Sequence, residues 1–487
     1  MPNKTLEDLR QQGIFKYFEA ISSIPRGSGN EKAISDYMVQ FANNLGLEVR
    51  QDEAYNIYIK KPATEGFENA PTVILQGHMD MVCEKNKDTE HDFLRDGLDL
   101  YVDGDWLAAR GTTLGADNGI AIAYQMAILA DNTLKHPALE CLMTTDEERG
   151  MTGVAALHPE YLQGRILLNL DTDVEGEFLV SCAGGAKVYM TFPKTKEAAE
   201  ASDETYEVII NGLVGGHSGA EIHHERANAH ILMGRYLDAL RDKCDFKLCE
   251  ITGGTKDNVI TRECEVKINV SPSEATFVNE VALEMNGCFK DEYSVQDKEI
   301  KITVQKAQKE AQNFTTDLRD KVIDFILTIP NGIMGYDKHM TGLVQTSLNL
   351  GIVQTEENVI RFGSAVRSSV ATRKWEVIHK LEALSRHFGA HCEVTGDYPA
   401  WQYDAESKVR DLAVALYEEM HGQKPTVTAI HAGLECGFIS EKLPGLDMIS
   451  FGPNVKDIHS PQERASISSM ESVYAYLIKL LEKLGAY

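Results

Sequence analysis

Short apolar runs alternate with longer segments of helical periodicity in the first part of the chain. Apolar residues at helical spacing predict helices at 6–24, 31–45 and 120–129. A short apolar run, typical of a strand buried on both faces, lies at 73–75, and further strands are predicted at 139–145 and 166–170. Strands that alternate with helices predict an α/β fold, in which a mostly parallel sheet has helices on both faces.

The hydrophobic pattern changes near Gly184 and Gly185. Segments that alternate like half-exposed strands follow at 187–193, 205–211, 266–270 and 299–304, with amphipathic helices between them. The α/β pattern returns with a helix at 407–420 and a strand at 447–451. We therefore predict a catalytic domain formed by residues 1–185 and 399–487, interrupted by a large inserted α+β lid domain at 186–398.

Composition narrows the classes of protein that fit this pattern. The net charge of −26 argues against nucleic acid and against an anionic membrane surface as partners. The first residues lack the apolar core of a signal peptide, and the apolar stretch at 119–130 is too short to span a bilayer. Nine cysteines without C-x-x-C spacing predict reduced thiols and a cytoplasmic location.

Candidate metal ligands follow several of the predicted strands. The five candidates are His78, Asp117, Glu148, Asp171 and His459. Two imidazoles and three carboxylates suit a pair of Zn²⁺-like ions that share one carboxylate. Such a pair, about 3.5–4 Å apart, can hold a hydroxide and polarise a carbonyl. No single motif is specific, since Asp117 in its glycine-rich turn could simply cap a helix, but together they favour a hydrolase.

The motifs that surround these candidates resemble those of a known family. The segments are SIPRGSGNE, ILQGHMDMV, GTTLGADNGI, TTDEERGMTG, NLDTD, GLVGGHSG, FGSAVRSS, HAGLECG and FGPNVKDIHSPQE. In this order they resemble the di-zinc exopeptidases that include carboxypeptidase G, aminoacylase and carnosinase. The resemblance is strongest to the bacterial aminoacyl-histidine dipeptidases, also called cytosol non-specific dipeptidases, and it spans nearly the whole chain.

This resemblance implies a role for each residue of the metal centre. Asp117 would bridge two ions, with His78 and Asp171 completing one site and Glu148 and His459 completing the other. Asp80 would hydrogen-bond a ligating imidazole and fix its orientation. Glu147 would be the general base that moves a proton from the attacking water to the leaving amine.

The resemblance also implies that the inserted domain closes over the substrate. His217 would stabilise the developing oxyanion, and Asn258 and Arg367 would anchor the substrate. Gly433 would supply backbone contacts. Glu435 beside it could meet the substrate amine or could be structural.

The resulting prediction is a metallopeptidase that hydrolyses short peptides, especially Xaa-His dipeptides such as β-Ala-His. Two divalent ions would activate the water, most simply Zn²⁺, with Mn²⁺ or Co²⁺ as substitutes. Alternatives are a tripeptide aminopeptidase or an N-acyl amino acid deacylase of the same superfamily, and a binding homologue without catalysis.

Asp rather than Glu at position 171 is, by the resemblance, the pattern of peptidases that take a free amine. In dimeric members of the family that this chain resembles, a lid of about half this size places its histidine in the partner's active site. The insertion here is long enough for two such units and carries a weak internal echo between 209–216 and 328–335, so a homodimer would not be needed to complete the active site.

Overall fold

The computed structural model describes residues 5–11 and 13–485. The chain divides into two compact units by its internal contacts. Unit 1 consists of Met1–Cys182, Trp401–Ala429 and Leu434–Tyr487, and unit 2 of Ala183–Ala400 and Ile430–Gly433. The short segment Ile430–Gly433 therefore groups with the inserted part of the chain, although the sequence around it continues unit 1.

The helices are numbered in chain order. They are α1 Leu6–Arg10, α2 Gly13–Ser22, α3 Lys32–Asn44, α4 Ala116–Ala130, α5 Glu147–Gly150, α6 Thr152–Ala155, α7 Ala229–Arg241, α8 Ala275–Glu292, α9 Thr316–Thr328, α10 Ala371–Phe388, α11 Lys408–His421, α12 Glu435–Lys442 and α13 Ile467–Leu484. The continuous helix expected over 6–24 is instead two helices, α1 and α2.

The strands are numbered in the same way. They are β1 Glu48–Gln51, β2 Ile57–Lys61, β3 Val73–His78, β4 Leu100–Asp103, β5 Trp106–Ala109, β6 Leu139–Thr144, β7 Ile166–Asn169, β8 Glu177–Cys182, β9 Gly184–Pro193, β10 Lys196–Ala198, β11 Glu204–Asn211, β12 Gly216–His217, β13 Lys247–Gly253, β14 Val259–Ile260, β15 Cys264–Val270, β16 Lys301–Lys306, β17 Gln312–Phe314, β18 Gly332–Tyr336, β19 Val344–Thr355, β20 Val359–Ser368, β21 His391–Tyr398, β22 Thr426–Ile430, β23 Asp447–Ser450, β24 Val455–Lys456 and β25 Arg464–Ser466.

The main sheet of unit 1 has the strand order β1-β2-β6-β3-β7-β23-β8-β22. Its centre, β6-β3-β7-β23, is parallel, whereas β1, β2 and β8 pair antiparallel. Every residue of β3, β6 and β7 is buried, as expected for strands covered on both faces, and α4 and α11 pack against β3 and β23. The α/β class predicted from the apolar runs is confirmed.

Unit 2 is built around an antiparallel sheet with the strand order β16-β11-β15-β13-β19-β20-β9-β21. The long hairpin β19–β20 lies at its centre, and α7, α8, α9 and α10 bury their apolar faces in the same core. Alternating burial along β9 and β11 explains the alternating pattern of their sequences. Among the described residues, no helix is both long and apolar enough to cross a membrane.

Candidate functional site

Asp117 lies between two imidazoles in unit 1. Its Oδ1 is 3.1 Å from Nε2 of His78, and its Oδ2 is 3.3 Å from Nε2 of His459. A further carboxylate approaches the same Nε2 atom of each imidazole, Asp171 at 3.6 Å from His78 and Glu148 at 3.0 Å from His459. Each Asp117 oxygen therefore belongs to a separate group of one imidazole and two carboxylates.

The parallel sheet brings these residues together because its strands end at one edge. His78 is the last residue of β3, while Glu148 and Asp171 follow β6 and β7. Asp117 stands at the start of α4, and His459 lies in the connection between β24 and β25. Side chains of His78, Asp117 and Glu148 place potential ligand atoms within 4.8 Å of one another.

Asp80 connects the two halves of this cluster. Its Oδ1 is 3.3 Å from Nδ1 of His78, on the side of the ring opposite Asp117. The same carboxylate accepts hydrogen bonds from the backbone N–H groups of Glu147 and Glu148, at 3.2 and 3.3 Å, and from the hydroxyl of Ser28. One buried side chain therefore orients both an imidazole and the turn that carries two further site residues.

The concentration of charge shifts the pKa values of the cluster. Burial lowers the pKa of His78, but the carboxylates of Asp171, Asp117 and Asp80 outweigh it and raise that pKa well above its ordinary value. Hydrogen bonds to Asp117 and Glu148 raise the pKa of His459 to about 10. Burial raises the pKa of Asp171. Without added cations, the cluster therefore retains protons near neutral pH, as a crowded carboxylate group does when its charge is uncompensated.

Glu147 is next to Glu148 in the chain and has a different environment. Burial raises its pKa to about 8, with smaller contributions from the charges of Glu435, Glu148 and Asp117, and with His78 opposing them. Among the described residues, its carboxylate forms neither a hydrogen bond nor a salt bridge. The carboxylate thus interacts electrostatically with the site residues and forms no hydrogen bond with them.

His217 lies on the short strand β12 of unit 2, which pairs with β14. Its Nδ1 accepts hydrogen bonds from the N–H groups of Gly219 and Ala220, at 3.2 and 3.0 Å. Burial and the nearby Arg367 charge lower the pKa of His217. A neutral imidazole that accepts at Nδ1 must carry its proton on Nε2, so His217 presents a hydrogen-bond donor there.

The other residues predicted for substrate contact surround His217 in unit 2. The backbone carbonyl of Asn258 accepts a hydrogen bond from Ser218. A Cβ atom at Gly219 would lie 3.0 Å from the His217 ring and 3.2 Å from Cζ of Arg367, so these side chains meet at a glycine. Arg367 donates from Nη1 to the hydroxyl of Tyr398, at 2.9 Å, while its buried Nε has no hydrogen-bond partner.

Gly433 belongs to the Ile430–Gly433 segment of unit 2. Two residues earlier, His431 is buried and its Nε2 is 2.7 Å from the hydroxyl of Ser347. Burial and the Arg367 charge lower the pKa of His431 to about 3, which keeps this imidazole neutral. His431 stands in the segment HAGLECG but was not among the site residues predicted from the sequence.

Comparison with known proteins places this geometry in a family. The family model described as peptidase family M20/M25/M40 matches residues 74–483, well over half of the chain. The chain belongs to peptidase family M20/M25/M40. The predicted family and the predicted hydrolase class are thereby confirmed.

Relatives of this M20 peptidase cover its whole length. The cytosol non-specific dipeptidase of Escherichia coli (strain K12) is 37% identical over 481 residues, which cover 99% of this chain and 99% of that protein. The crystal structure of aminoacylhistidine dipeptidase from Vibrio alginolyticus superposes with a TM-score of 0.95 at 39% identity, covering 99% of this chain and 98% of that one. Aminopeptidase PepT from Bacillus cereus shares the fold, with a TM-score of 0.58 at 14% identity over 98% and 99% of the two chains.

Two buried residues of this M20 peptidase that the sequence analysis missed support the Asp117 turn. The carboxylate of Glu463 accepts hydrogen bonds from four successive backbone N–H groups, those of residues 114–117, at 2.8–3.3 Å. The fully buried guanidinium of Arg26 donates to the carbonyls of Gly115 and Met79. The segment FGPNVKDIHSPQE contains Glu463, but its sequence does not indicate which distant turn the carboxylate binds.

Proposed function

We propose that this chain is a metal-dependent dipeptidase that hydrolyses short peptides, including Xaa-His dipeptides such as β-Ala-His. The observation that carries the proposal is the Asp117 carboxylate between two imidazoles, with Glu147 beside them. Full-length similarity to proteins named as dipeptidases supports the substrate class. The relative's name also supports a cytoplasmic location, which we include in the proposal.

The donor set fits two divalent cations. Imidazole nitrogens and carboxylate oxygens suit Zn²⁺ and also accept Mn²⁺ or Co²⁺. His78, Asp117 and Asp171 would hold one ion, and Asp117, Glu148 and His459 the other. When bound, such ions supply Lewis-acid polarisation and lower the pKa of water. Asp117→Ala should therefore bind markedly less metal and lose activity, and an Asp117→Ala protein with two tightly bound ions and normal turnover would contradict this assignment.

Glu147 is the proposed general base. Its raised pKa means that the carboxylate keeps a proton near neutral pH until positive charge is added beside it. Cations in the neighbouring ligand set would lower that pKa and leave the carboxylate free to accept a proton from the attacking water. The same group then donates the proton to the leaving amine. Proton transfer of this kind typically contributes about 10²–10⁴-fold to the rate.

Unit 2 is the proposed lid. The Nε2–H donor of His217 would stabilise negative charge that develops on the carbonyl oxygen of the scissile bond. Arg367 would bind the terminal carboxylate of the substrate, because its guanidinium has an unused donor and forms no salt bridge within the described residues. Asn258 and Gly433 would contribute further contacts. If Asp171 and the nearby carboxylates favour a free amine at the other end of the substrate, both ends are recognised at once, and hydrolysis is limited to dipeptide length.

A panel of substrates tests the proposal. Protein reconstituted with Zn²⁺, Mn²⁺ or Co²⁺ is assayed on Ala-His, β-Ala-His, a tripeptide and an N-acetyl amino acid. Selective hydrolysis of the dipeptides is expected. Preference for the tripeptide would favour a tripeptide aminopeptidase, preference for the N-acetyl amino acid would favour a deacylase, and no hydrolysis at all would favour a binding homologue.

A further inference from the structure

Glu435, the first residue of α12, is a buried carboxylate in unit 1 with only one of its two oxygens bound. Its Oε2 accepts hydrogen bonds from Nε2 of Gln76, at 2.5 Å, and from the hydroxyl of Thr144, at 2.7 Å. Its Oε1 is inaccessible to solvent and has no hydrogen-bond partner. A buried oxygen that lacks a partner is costly, so this oxygen is available to a ligand that donates to it.

The orientation of this carboxylate is fixed by a row of polar side chains inside the sheet. Asn169 donates to Oε1 of Gln76, so the amide nitrogen of Gln76 must face Glu435. Ser450 in turn donates to Asn169. The row follows the strand register, with Gln76 opposite Asn169 and Asn169 opposite Ser450. Oε2 of Glu435 therefore accepts hydrogen bonds from neutral donors only, and Oε1 is left free to bind a further group.

The missing partner should be a cation. Among the described residues, no lysine, arginine or histidine forms a salt bridge with Glu435. Burial raises the pKa of Glu435 to about 7, although the His78 charge and the hydrogen bonds from Thr144 and Gln76 oppose this shift. The carboxylates of Glu147 and Asp171 are close enough to interact with it electrostatically. A positive group entering here would gain from all three carboxylates.

We propose that Glu435 binds the free N-terminal ammonium group of the peptide substrate through Oε1 and thereby selects substrates with an unblocked amine. This inference rests on the proposed dipeptidase function and adds the residue that recognises the amino end. In an α-amino substrate only one carbon separates the amino nitrogen from the scissile carbonyl. A group that binds the amine must therefore lie near the general base, as Glu435 does.

The test compares Ala-His with propionyl-His, which is the same molecule with hydrogen in place of the amino group. Metal-reconstituted wild type should hydrolyse Ala-His far faster than propionyl-His. Glu435→Gln keeps the size of the side chain and its contact with Thr144, but removes the charge. We expect it to lose about 30- to 5,000-fold in kcat/KM on Ala-His, the range for truncating one partner of a buried charged pair. Its kcat/KM on propionyl-His should change by less than about threefold.

Glu140→Gln is the matched control. Glu140 is also a buried carboxylate of the same sheet, but it accepts hydrogen bonds from the N–H groups of Gln163 and Gly164 at the opposite end of β6. That variant should keep the wild-type ratio of Ala-His to propionyl-His hydrolysis. Metal content and melting temperature are measured for every protein.

Three results would overturn the inference. Equal losses on both substrates would make Glu435 structural, and loss of bound metal in Glu435→Gln would make it part of the metal centre. If wild type hydrolyses the two substrates equally well, no group selects the amine. This comparison uses wild type only, so it tests the inference even if Glu435→Gln does not fold. Failure of the proposed function looks different, because wild type would then hydrolyse neither substrate with any metal.

Discussion

Glu463 offers the sharpest test of how the fold holds the Asp117 turn. Each of its oxygens accepts two backbone hydrogen bonds, Oε2 from Leu114 and Gly115 and Oε1 from Ala116 and Asp117. Glu463→Gln keeps one oxygen acceptor and turns an amide NH₂ toward the other two N–H groups. Two buried donors are then left without partners.

The expected loss follows from those two donors. A buried polar group left unpaired costs about 1–3 kcal/mol, so Glu463→Gln should lower the free energy of unfolding by about 2–6 kcal/mol. Because the N–H of Asp117 is one of the four donors, the position of its carboxylate should also become less fixed. Metal affinity should therefore fall along with stability.

Urea unfolding and metal titration of the chelated protein measure the two effects separately. Glu140→Gln serves as the control, because it also replaces a buried carboxylate that accepts hydrogen bonds from backbone N–H groups, but at the far end of the sheet. It should keep its metal affinity. Inert surface substitutions change the free energy of unfolding by no more than about 0.5 kcal/mol. If Glu463→Gln changes it by no more than that and binds metal normally, the proposed role of Glu463 is wrong.

Three further predictions concern unit 2. Arg367→Ala should cost about 2–4 kcal/mol in kcat/KM on Xaa-His and abolish the preference for the free acid over its C-terminal amide; equal cleavage of acid and amide by wild type would contradict the role of Arg367. Mixing inactive His217→Ala and Glu147→Ala subunits under exchange conditions should restore no activity, whereas recovery would show that His217 acts in the partner's site. Burial lowers the pKa of His230 from 6.5 to about 3, so the unfolded chain binds the extra proton between those values and stability falls as the pH drops below 6.5. Urea unfolding of the chelated protein measures the free energy of unfolding between pH 6 and 4.5. In His230→Gln this free energy should fall less steeply, by about 1.4 kcal/mol per pH unit, as the pH is lowered. An unchanged slope would refute this assignment.

Much of unit 1 could be predicted because a mostly parallel sheet has a simple sequence pattern. Parallel strands buried on both faces are short apolar runs, and the residue that follows each run lies at the same edge of the sheet. His78, Glu148 and Asp171 can be grouped on that basis from the sequence alone. The individual roles of these residues came from the resemblance and remain to be tested.

Other features had no local signal. Glu463 binds a turn almost 350 positions earlier in the chain, and nothing in the spacing of either segment indicates the contact. The central hairpin β19–β20 was missed because most of its residues are buried, so its sequence lacks the alternation that reveals a half-exposed strand. The polar row did leave a trace, since Gln76 and Asn169 interrupt apolar strands that would otherwise need no polar side chain.

Single-turnover hydrolysis of Ala-His by wild type and Glu147→Gln, with metal content measured on the same samples, tests the central claim most directly. The account predicts two ions per chain in both proteins and no activity in either after chelation. With metal, the turnover of Glu147→Gln should be lower by about 10²–10⁴-fold. Normal turnover by Glu147→Gln, or hydrolysis by the chelated wild type, would contradict the claim that a metal centre with Glu147 as its base performs the reaction.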